Sequence, residues 1–508
     1  MISGRELSRF FNKELRKRRW FGQKSEKIKV EIEDRIPAYR TENLAIEFFM
    51  LKVKPGRRRY FLPLAFTKSA FQVIEAPAIF TLESEKERIH VFEAEYLDLF
   101  PSIIYRMFEE GERFTGKRME IVFTLRRGIR GERVRKGEVI GGDSTNINLK
   151  ILSTERTMVL KTYRVFDVDN PEVEMMLQLS GSKNVPEVLG YAEVLIEGIS
   201  ANGFLLMEFM DSAGDGIKAF MKDVNFLISS GMEQEVVIRH SEKLAGILGR
   251  ITAEMHAQLV GNDEKFRAEK ITGEDIERWK VRVLSNLDYC LERILGLPES
   301  ENREALLKIA EGVERGRVLE LLEAASNFEG ILKIRTHQDY HLGQVLYGKE
   351  DTFYILDFEG EPGRKGEERR EKLPPLRDVA TMLRSFSYLK HLAFRNYLEE
   401  RLSITGEREK LCWAPVILAG VDTGLTIPLR VPEMLNLYEE KVAEAFVSAY
   451  TQRLSELNPS LLPEKGTREK MLKFWKMEKA VYELKYELEY RLDYAGIPLE
   501  GILRELRY

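Results

Sequence analysis

Cysteine is almost absent. Cys290 and Cys412 are the only two in 508 residues. No disulfide framework can staple this fold, and a reducing, cytoplasmic setting is the expectation. Net charge is nearly absent too: 79 Lys and Arg stand against 83 Asp and Glu, a formal −4. A general nucleic-acid binder needs a basic surface, so that class is excluded. Long apolar runs are missing. "WAPVILAGV" is among the longest and falls far short of a membrane span. The opening "MISGRELSRFFNKELRKRRW" has no continuous apolar core, so a signal peptide is not expected. There is no internal repeat and no low-complexity linker.

What is present changes texture along the chain. The length is enough for two or three domains, each with a sizeable core. After a first amphipathic helix, "KIKVEIE", "LAIEFFMLKV", "RRYFLPLAF" and "IHVFEAEY" are β-formers between turn signals. "YLDLFPSIIYRMFEEGERF" reads as helix, and strands resume in "RMEIVFTLRRG", "RKGEVIGGDSTNINLKIL" and "ERTMVLKTYRV". From about residue 213 the apolar spacing is three and four, which predicts helices. "EVVIRHSEKLAGILGRITAEMHAQL", "PEMLNLYEEKVAEAFVSAYTQRL" and "REKMLKFWKMEKAVYELKYELEY" are the longest such stretches. A β-rich first half and a helical second half predict an α+β fold.

One β island interrupts the helical half. "RTHQDYHLGQVLYGKEDTFYILDFEGEP" (335–362) holds two of the six histidines and a hairpin signal, "QVLY" and "TFYILDF" around "GKED". Pairing Tyr347 with Thr352 sets Asp357 opposite Leu342, beside Gly343 and Gln344. Asp339 lies in the loop leading in. Three oxygen-bearing side chains then converge, a donor set that suits a hard cation such as Mg²⁺. Asp339 precedes Gln344 by five residues, and Asp357 follows by thirteen. Protein kinases space a catalytic Asp, a metal-binding Asn and a DFG Asp in this way.

"HQDYHLGQ" and "DFEGEP" resemble the maltokinases, a branch of the aminoglycoside-phosphotransferase-like kinases, whose motifs run close to H-G-D-x-H-L-G-Q and D-F-E-G-E-P. Gln338 stands where that pattern has Gly. "RRWFGQK" (18–24) is similar to the stretch that opens the maltokinase cap. "GGDSTNI" (141–147) resembles the phosphate-loop segment, and "LLMEFM" falls where a kinase hinge would. The C-terminal "EKAVYELKYELEYRLDYAGIPLEGI" resembles the family's closing signature, with "RLDY" in place of R-P-D-W. The resemblance runs nearly end to end. It implies a bilobal, protein-kinase-like fold: a cap (1–95), a nucleotide lobe (96–212) and a helical acceptor lobe (213–508).

It also implies roles. Asp339 would orient or accept the proton of the attacking hydroxyl, with Gln344 and Asp357 on Mg²⁺. Lys161, in the apolar strand "TMVLKTY", needs a partner if buried; Glu174 on the next helix is the expected one, the pair holding ATP phosphates. Ser144 would serve the phosphate loop. Glu208 through its carbonyl and Met210 through its N–H would read adenine, with Met207 behind. Tyr482 and Tyr486 share a helix face. Such stripes serve either as core or as a sugar platform, and the resemblance assigns these two to sugar, with Glu361 reaching a sugar hydroxyl. His337 and His341 read as braces of the loop, since no third His or Cys is near to complete a zinc site. Asp378 is expected to tie a helix to that loop.

The implied activity is transfer of the ATP γ-phosphate to the anomeric hydroxyl of maltose, in α-glucan or glycogen synthesis and in functional association with trehalose synthase. Alternatives are a superfamily kinase of glucosamine, trehalose or an aminoglycoside, a metal-dependent hydrolase built on H-x-D-x-H, and an ATP-binding partner protein without activity. The glucosamine branch reads D-F-D-G-N-P where this chain has "DFEGEP". The hydrolase reading leaves Lys161 and the hinge segment unexplained.

Overall fold

The computed structural model describes all residues except 1–3, 19, 23–27, 57, 69–77, 84–87, 127–129, 142–144, 231–233, 365, 402–411, 422–429 and 508. The chain divides into two compact units: Met1–Gly181 with Pro186–Phe209, and Ser182–Val185 with Met210–Tyr508. Of the segments expected as cap (1–95) and nucleotide lobe (96–212), residues 1–181 and 186–209 fall in the first unit.

That first unit contains two antiparallel sheets. The strands Lys29–Arg40, Leu44–Lys54, Arg59–Thr67, Arg88–Glu93 and Phe80–Glu83 lie side by side in that order. Both faces of the strand Leu44–Lys54 are buried at its centre, which is why "FFML" there is apolar without alternation. Phe49, Leu51 and Val53 pack with Phe11, Leu15, Trp20 and Phe21. Ile46, Phe48 and Met50, one residue out of phase, join the second sheet and the helix Phe100–Glu110 in a single core. Gly111 ends that helix in the left-handed conformation (φ 63°), a geometry open to glycine.

The second sheet has seven strands, ordered Arg113–Thr115, Met119–Leu125, Val188–Ile196, Ile199–Glu208, Thr157–Thr162, Ile147–Ser153 and Val134–Ile140. The strand carrying Lys161 is therefore interior, flanked on both edges.

The second unit is mainly helical. The three long periodic stretches form the helices Gln234–Gln258, Arg430–Leu457 and Lys465–Tyr490. Its β island is a three-stranded sheet, Ser212–Asp215, Val345–Gly348 and Phe353–Ile355; the first of these strands lies where only helix was expected. The architecture is α+β, with β-rich segments first and a helical second unit. No helix among the described residues is long and apolar enough to cross a membrane.

The hairpin register differs by one from the expected pairing. Tyr347 faces Phe353, not Thr352. Glu350 and Asp351 both adopt positive φ (58° and 57°). Gly348 and Thr352 close the turn through Gly348 N–H to the Thr352 carbonyl (2.9 Å). The turn thus takes in Thr352, and the ladder begins one residue later. Extending that register sets Asp357 opposite Gly343.

Candidate active site

Asp339 lies on a loop fastened at both ends. Upstream, Asp378 at the start of helix Leu376–Arg401 accepts the backbone N–H of His337 (2.7 Å) and of Gln338 (2.8 Å). Asp378 is fully buried, yet its carboxyl lies below the ordinary range. Burial pushes it up, and the His256 hydrogen bond (3.1 Å) and nearby positive charge overcome that. His256 in turn meets the Tyr450 hydroxyl at 2.9 Å. Downstream, Leu342 N–H donates to the Ser385 hydroxyl (2.9 Å) and Gly343 N–H to His341 Nδ1 (3.1 Å). His337 Nε2 bonds the Leu356 carbonyl (2.8 Å), bracing the loop against the hairpin strand that leads to Asp357.

Gln338 adopts φ 67°, the conformation a glycine would hold at no cost. Its side chain supplies what a glycine lacks: Nε2 donates to the carbonyls of Arg369 (3.1 Å) and Glu371 (3.0 Å). We expect Gln338→Ala to lose about 1–3 kcal/mol with these bonds. Gln338→Gly should lose about 1 kcal/mol less, because the left-handed backbone is then unstrained. Denaturant unfolding checks this; equal midpoints for all three proteins would show that the amide anchors nothing.

The Gln344 carbonyl accepts Leu356 N–H at 2.9 Å, so the backbones bearing Gln344 and Asp357 are adjacent. Asp357 also has positive φ, 62°, a strained setting for a non-glycine residue that persists only where the surroundings hold it. An amide oxygen from Gln344 and a carboxylate oxygen from Asp357 are residue types that would suit Mg²⁺ if their side chains converge.

Beside Asp339 opens a cavity of about 390 Å³, within the usual size of small-molecule pockets. Tyr388, Tyr482, Tyr486 and Tyr494 line it, with Lys479, Glu483, Glu487 and Arg491. Tyr482 and Tyr486 are thus on the wall; the core face of their helix is Met471, Phe474, Trp475, Leu484 and Leu488. The Tyr482 ring packs against Lys479 (5.0 Å) and Arg364 (5.1 Å), and its hydroxyl accepts Gly363 N–H (3.1 Å). A Cβ at position 363 would sit 2.8 Å from that hydroxyl, which explains the glycine.

Every carboxylate on the wall has a cation. Lys479 Nζ lies 3.3 Å from Asp339, Arg384 3.0 Å from Glu483, and Arg491 2.6 Å from Glu487. Burial pushes the Asp339 carboxyl up, but the Lys479 charge, followed by His341, holds it well below the ordinary range. Asp339 is therefore a carboxylate at any ordinary pH. Burial raises the Glu487 carboxyl despite its Arg491 partner.

Two sequence-based assignments change, and one wall residue was missed. The carboxylate 2.7 Å from Lys161 belongs to Glu172, not Glu174. Glu172 opens the helix Glu172–Gln178. Positions two apart on a helix point ~200° apart, so the two glutamates do not share a face. Lys161 and Glu172 are both buried, and the Tyr163 hydroxyl also donates to Glu172 (2.6 Å). Glu361 does not reach the pocket. It is fully buried and ion-paired with Arg377 (2.6 Å), Lys479 (2.6 Å) and Arg364. Lys479, absent from the sequence-based set, is a wall residue in contact with Asp339. Its place three and seven residues before Tyr482 and Tyr486 was the available signal, since these spacings share one helix face.

Ser144 lies outside the described residues. Glu208 ends its strand, with its N–H on the Glu187 carbonyl (3.0 Å) and Phe209 N–H on the Thr157 carbonyl (3.2 Å). Met210 begins the second unit's main segment.

Residues 15–96 match the maltokinase N-terminal cap domain. In sequence the chain is 28% identical over 145 residues to a glucosamine kinase of Streptacidiphilus jiangxiensis, covering 28% of this chain and 30% of that one. It is 27% identical over 210 residues to a glucosamine kinase of Mycolicibacterium smegmatis, 41% of either chain. Both alignments span less than half of the relative's length. Among solved structures, a glucosamine kinase in its crystal form B superimposes with a TM-score of 0.61 at 16% identity, over 94% of both chains. A glucosamine kinase in complex with glucosamine, ADP and inorganic phosphate gives 0.58 at 16%, over 92% of both. At such identity the likeness is one of fold. One end of the chain thus matches the maltokinase cap, and nearly all of its length shares the fold of the solved glucosamine kinases.

Proposed function

We propose that the chain is an ATP- and Mg²⁺-dependent kinase of a neutral sugar, with maltose as acceptor. The anomeric hydroxyl oxygen bonds to the γ-phosphorus, the bond from that phosphorus to the bridging oxygen of ADP breaks, and the products are maltose 1-phosphate and ADP. Asp339, held ionised, orients the hydroxyl and takes its proton. Lys161, paired with Glu172, holds the α- and β-phosphates. Gln344 and Asp357 would hold Mg²⁺, which supplies charge neutralisation at the phosphates. The backbone at Glu208 and Met210 reads adenine. The maltokinase reading carries with it a place in α-glucan synthesis and an association with trehalose synthase.

The observation that carries the neutral acceptor is the charge balance of the pocket beside Asp339. Each wall carboxylate is already matched by a cation, and four tyrosines make up much of the rest. An aminosugar brings an ammonium group that needs a carboxylate of its own; flat apolar faces with polar tips suit a neutral ring. Glucosamine is nevertheless the competing acceptor, because the curated relatives are glucosamine kinases. ADP release with ATP, Mg²⁺ and a panel of maltose, glucosamine and trehalose tests the proposal. Maltose should give the highest kcat/KM. A preference for glucosamine would overturn the acceptor, and no ADP release with any sugar would overturn the kinase.

Tyr482→Ala and Tyr486→Ala should each lower kcat/KM for maltose by about ten- to a hundredfold, through lost ring contact and a hydroxyl worth on the order of 1–3 kcal/mol. The loss should fall mainly on KM, since the contact serves ground and transition states alike. Nucleotide affinity should not change. Unchanged maltose KM alongside a strongly lowered Tm would assign both rings to packing instead.

A further inference from the structure

The stretch "RRWFGQK" has no task in the chemistry above, yet its Arg18 and Trp20 are tied to the cluster around Arg164, just past Lys161. The connection runs through Arg164, three residues after Lys161. Its guanidinium has no exposed surface. It makes a bidentate pair with Glu95 (2.9 Å on both arms) and reaches Glu93 at 2.9 Å. Trp20 stacks on it at 5.5 Å and donates its indole N–H to Glu93 (3.1 Å to the nearer oxygen). Arg18 Nε lies 3.7 Å from the same carboxylate.

The backbone is fastened at the same point. Phe61 N–H donates to the Arg164 carbonyl (2.8 Å), Tyr60 bridges Val165, and Phe166 N–H donates to the Arg59 carbonyl (3.1 Å). The chain thus leaves the lysine strand Thr157–Thr162 and at once bridges to the strand Arg59–Thr67 of the cap sheet. Lys161 and Tyr163 both reach Glu172, while Arg164 reaches the cap carboxylates instead. That split follows the alternation of side chains along an extended chain. A rigid rise of about 3.3 Å per residue leaves little slack between the two anchor points.

We propose that Arg164, gripped by Glu93, Glu95 and Trp20 of the N-terminal segment, is a positioning residue for Lys161. The cap would then set nucleotide affinity without touching the nucleotide. This rests on the reading of Lys161 as a phosphate ligand.

The full-length variants Arg164→Lys, Glu95→Gln and Trp20→Phe test it, with nucleotide Kd read by calorimetry using a non-hydrolysable ATP analogue, beside thermal melts and the KM for the preferred sugar. Arg164→Lys keeps a cation but loses the bidentate fork. It and Glu95→Gln should weaken nucleotide binding by about tenfold, the scale of a small misplacement at a distance from the chemistry, with sugar KM within about twofold. Trp20→Phe, which keeps a ring and removes one hydrogen bond, should give a smaller loss of the same kind. Unchanged nucleotide Kd with a lowered Tm overturns the proposal, as does an equal rise in sugar KM. Should the two charge variants not fold, Trp20→Phe decides: an unaltered Kd there overturns it. Lys161→Met separates the premise. No loss of nucleotide affinity in Lys161→Met would remove the phosphate assignment itself; a large loss there with none in Glu95→Gln would remove only the role of the cap.

Discussion

Asp339→Asn should reduce kcat by about 10²- to 10⁴-fold, the usual worth of a positioned general base, while nucleotide affinity stays close to that of the parent. The substitution preserves shape and the fastened loop, because the hydrogen bonds that hold the loop come from Asp378, Ser385 and the neighbouring backbone. What it removes is the negative charge beside the acceptor cavity. Lys479 would then keep Glu361 as its anionic partner at 2.6 Å, so the helix Lys465–Tyr490 should remain in place. Calorimetry with a non-hydrolysable ATP analogue, beside steady-state kinetics, separates the two effects. A large loss of nucleotide binding with intact turnover would take Asp339 out of the base role. The same environment has a pH consequence. The folded carboxyl is held well below its ordinary range, so it stays ionised as pH falls through the usual carboxylate values. kcat should therefore show no acid limb near pH 4, the ordinary Asp value being ~3.9. A limb that vanishes in Asp339→Asn would show that Lys479 does not control this group.

Asp357→Ala should abolish turnover supported by Mg²⁺. It removes the charged member of the proposed pair of metal ligands, whose other member, Gln344, is a neutral amide. Gln344→Ala should be milder, since a water can replace a neutral ligand. Position 357 has φ 62°, so alanine also meets backbone strain of about 1 kcal/mol. Asp357→Asn is the better-folded control and should be nearly as inactive. The measurement is ADP release against Mg²⁺ concentration, with a thermal melt for each variant. Full activity of Asp357→Ala at ordinary Mg²⁺ would sink the metal assignment. Recovery of Gln344→Ala at raised Mg²⁺, without recovery of Asp357→Ala, is the expected contrast.

The predictions differ in how far each was visible before the fold. Asp339, Gln344 and Asp357 stand within nineteen residues of one another, on one loop and one hairpin, so their convergence is an expectation of local geometry. The hairpin was readable from "GKED" between β-formers, but its register was not. Two consecutive non-glycine residues with positive φ, Glu350 and Asp351, have no compositional mark, and the ladder starts one residue later for it. Gln338 is the opposite case. A side chain at a position that demands positive φ looked like a departure, and two hydrogen bonds to Arg369 and Glu371 more than thirty residues away account for it.

By itself the sequence determined the α+β class, the long helices and the spacing of the loop and hairpin acids. Each of these is written in a period or a short interval: 3.6 for the helices, two for half-buried strands, five and thirteen for Asp339, Gln344 and Asp357. Only the tertiary structure decided which charges meet. Glu172 rather than Glu174 pairs with Lys161 because the starting phase of a seven-residue helix is set by what it packs on. Glu361 is sealed among Arg364, Arg377 and Lys479 rather than open to a sugar, and Lys479 meets Asp339 across 140 residues of chain. An ion pair between distant segments leaves no periodic trace, and a buried charge is tolerated only where the fold brings its partner to it. The sequence could name the charged residues; their pairing belongs to the fold.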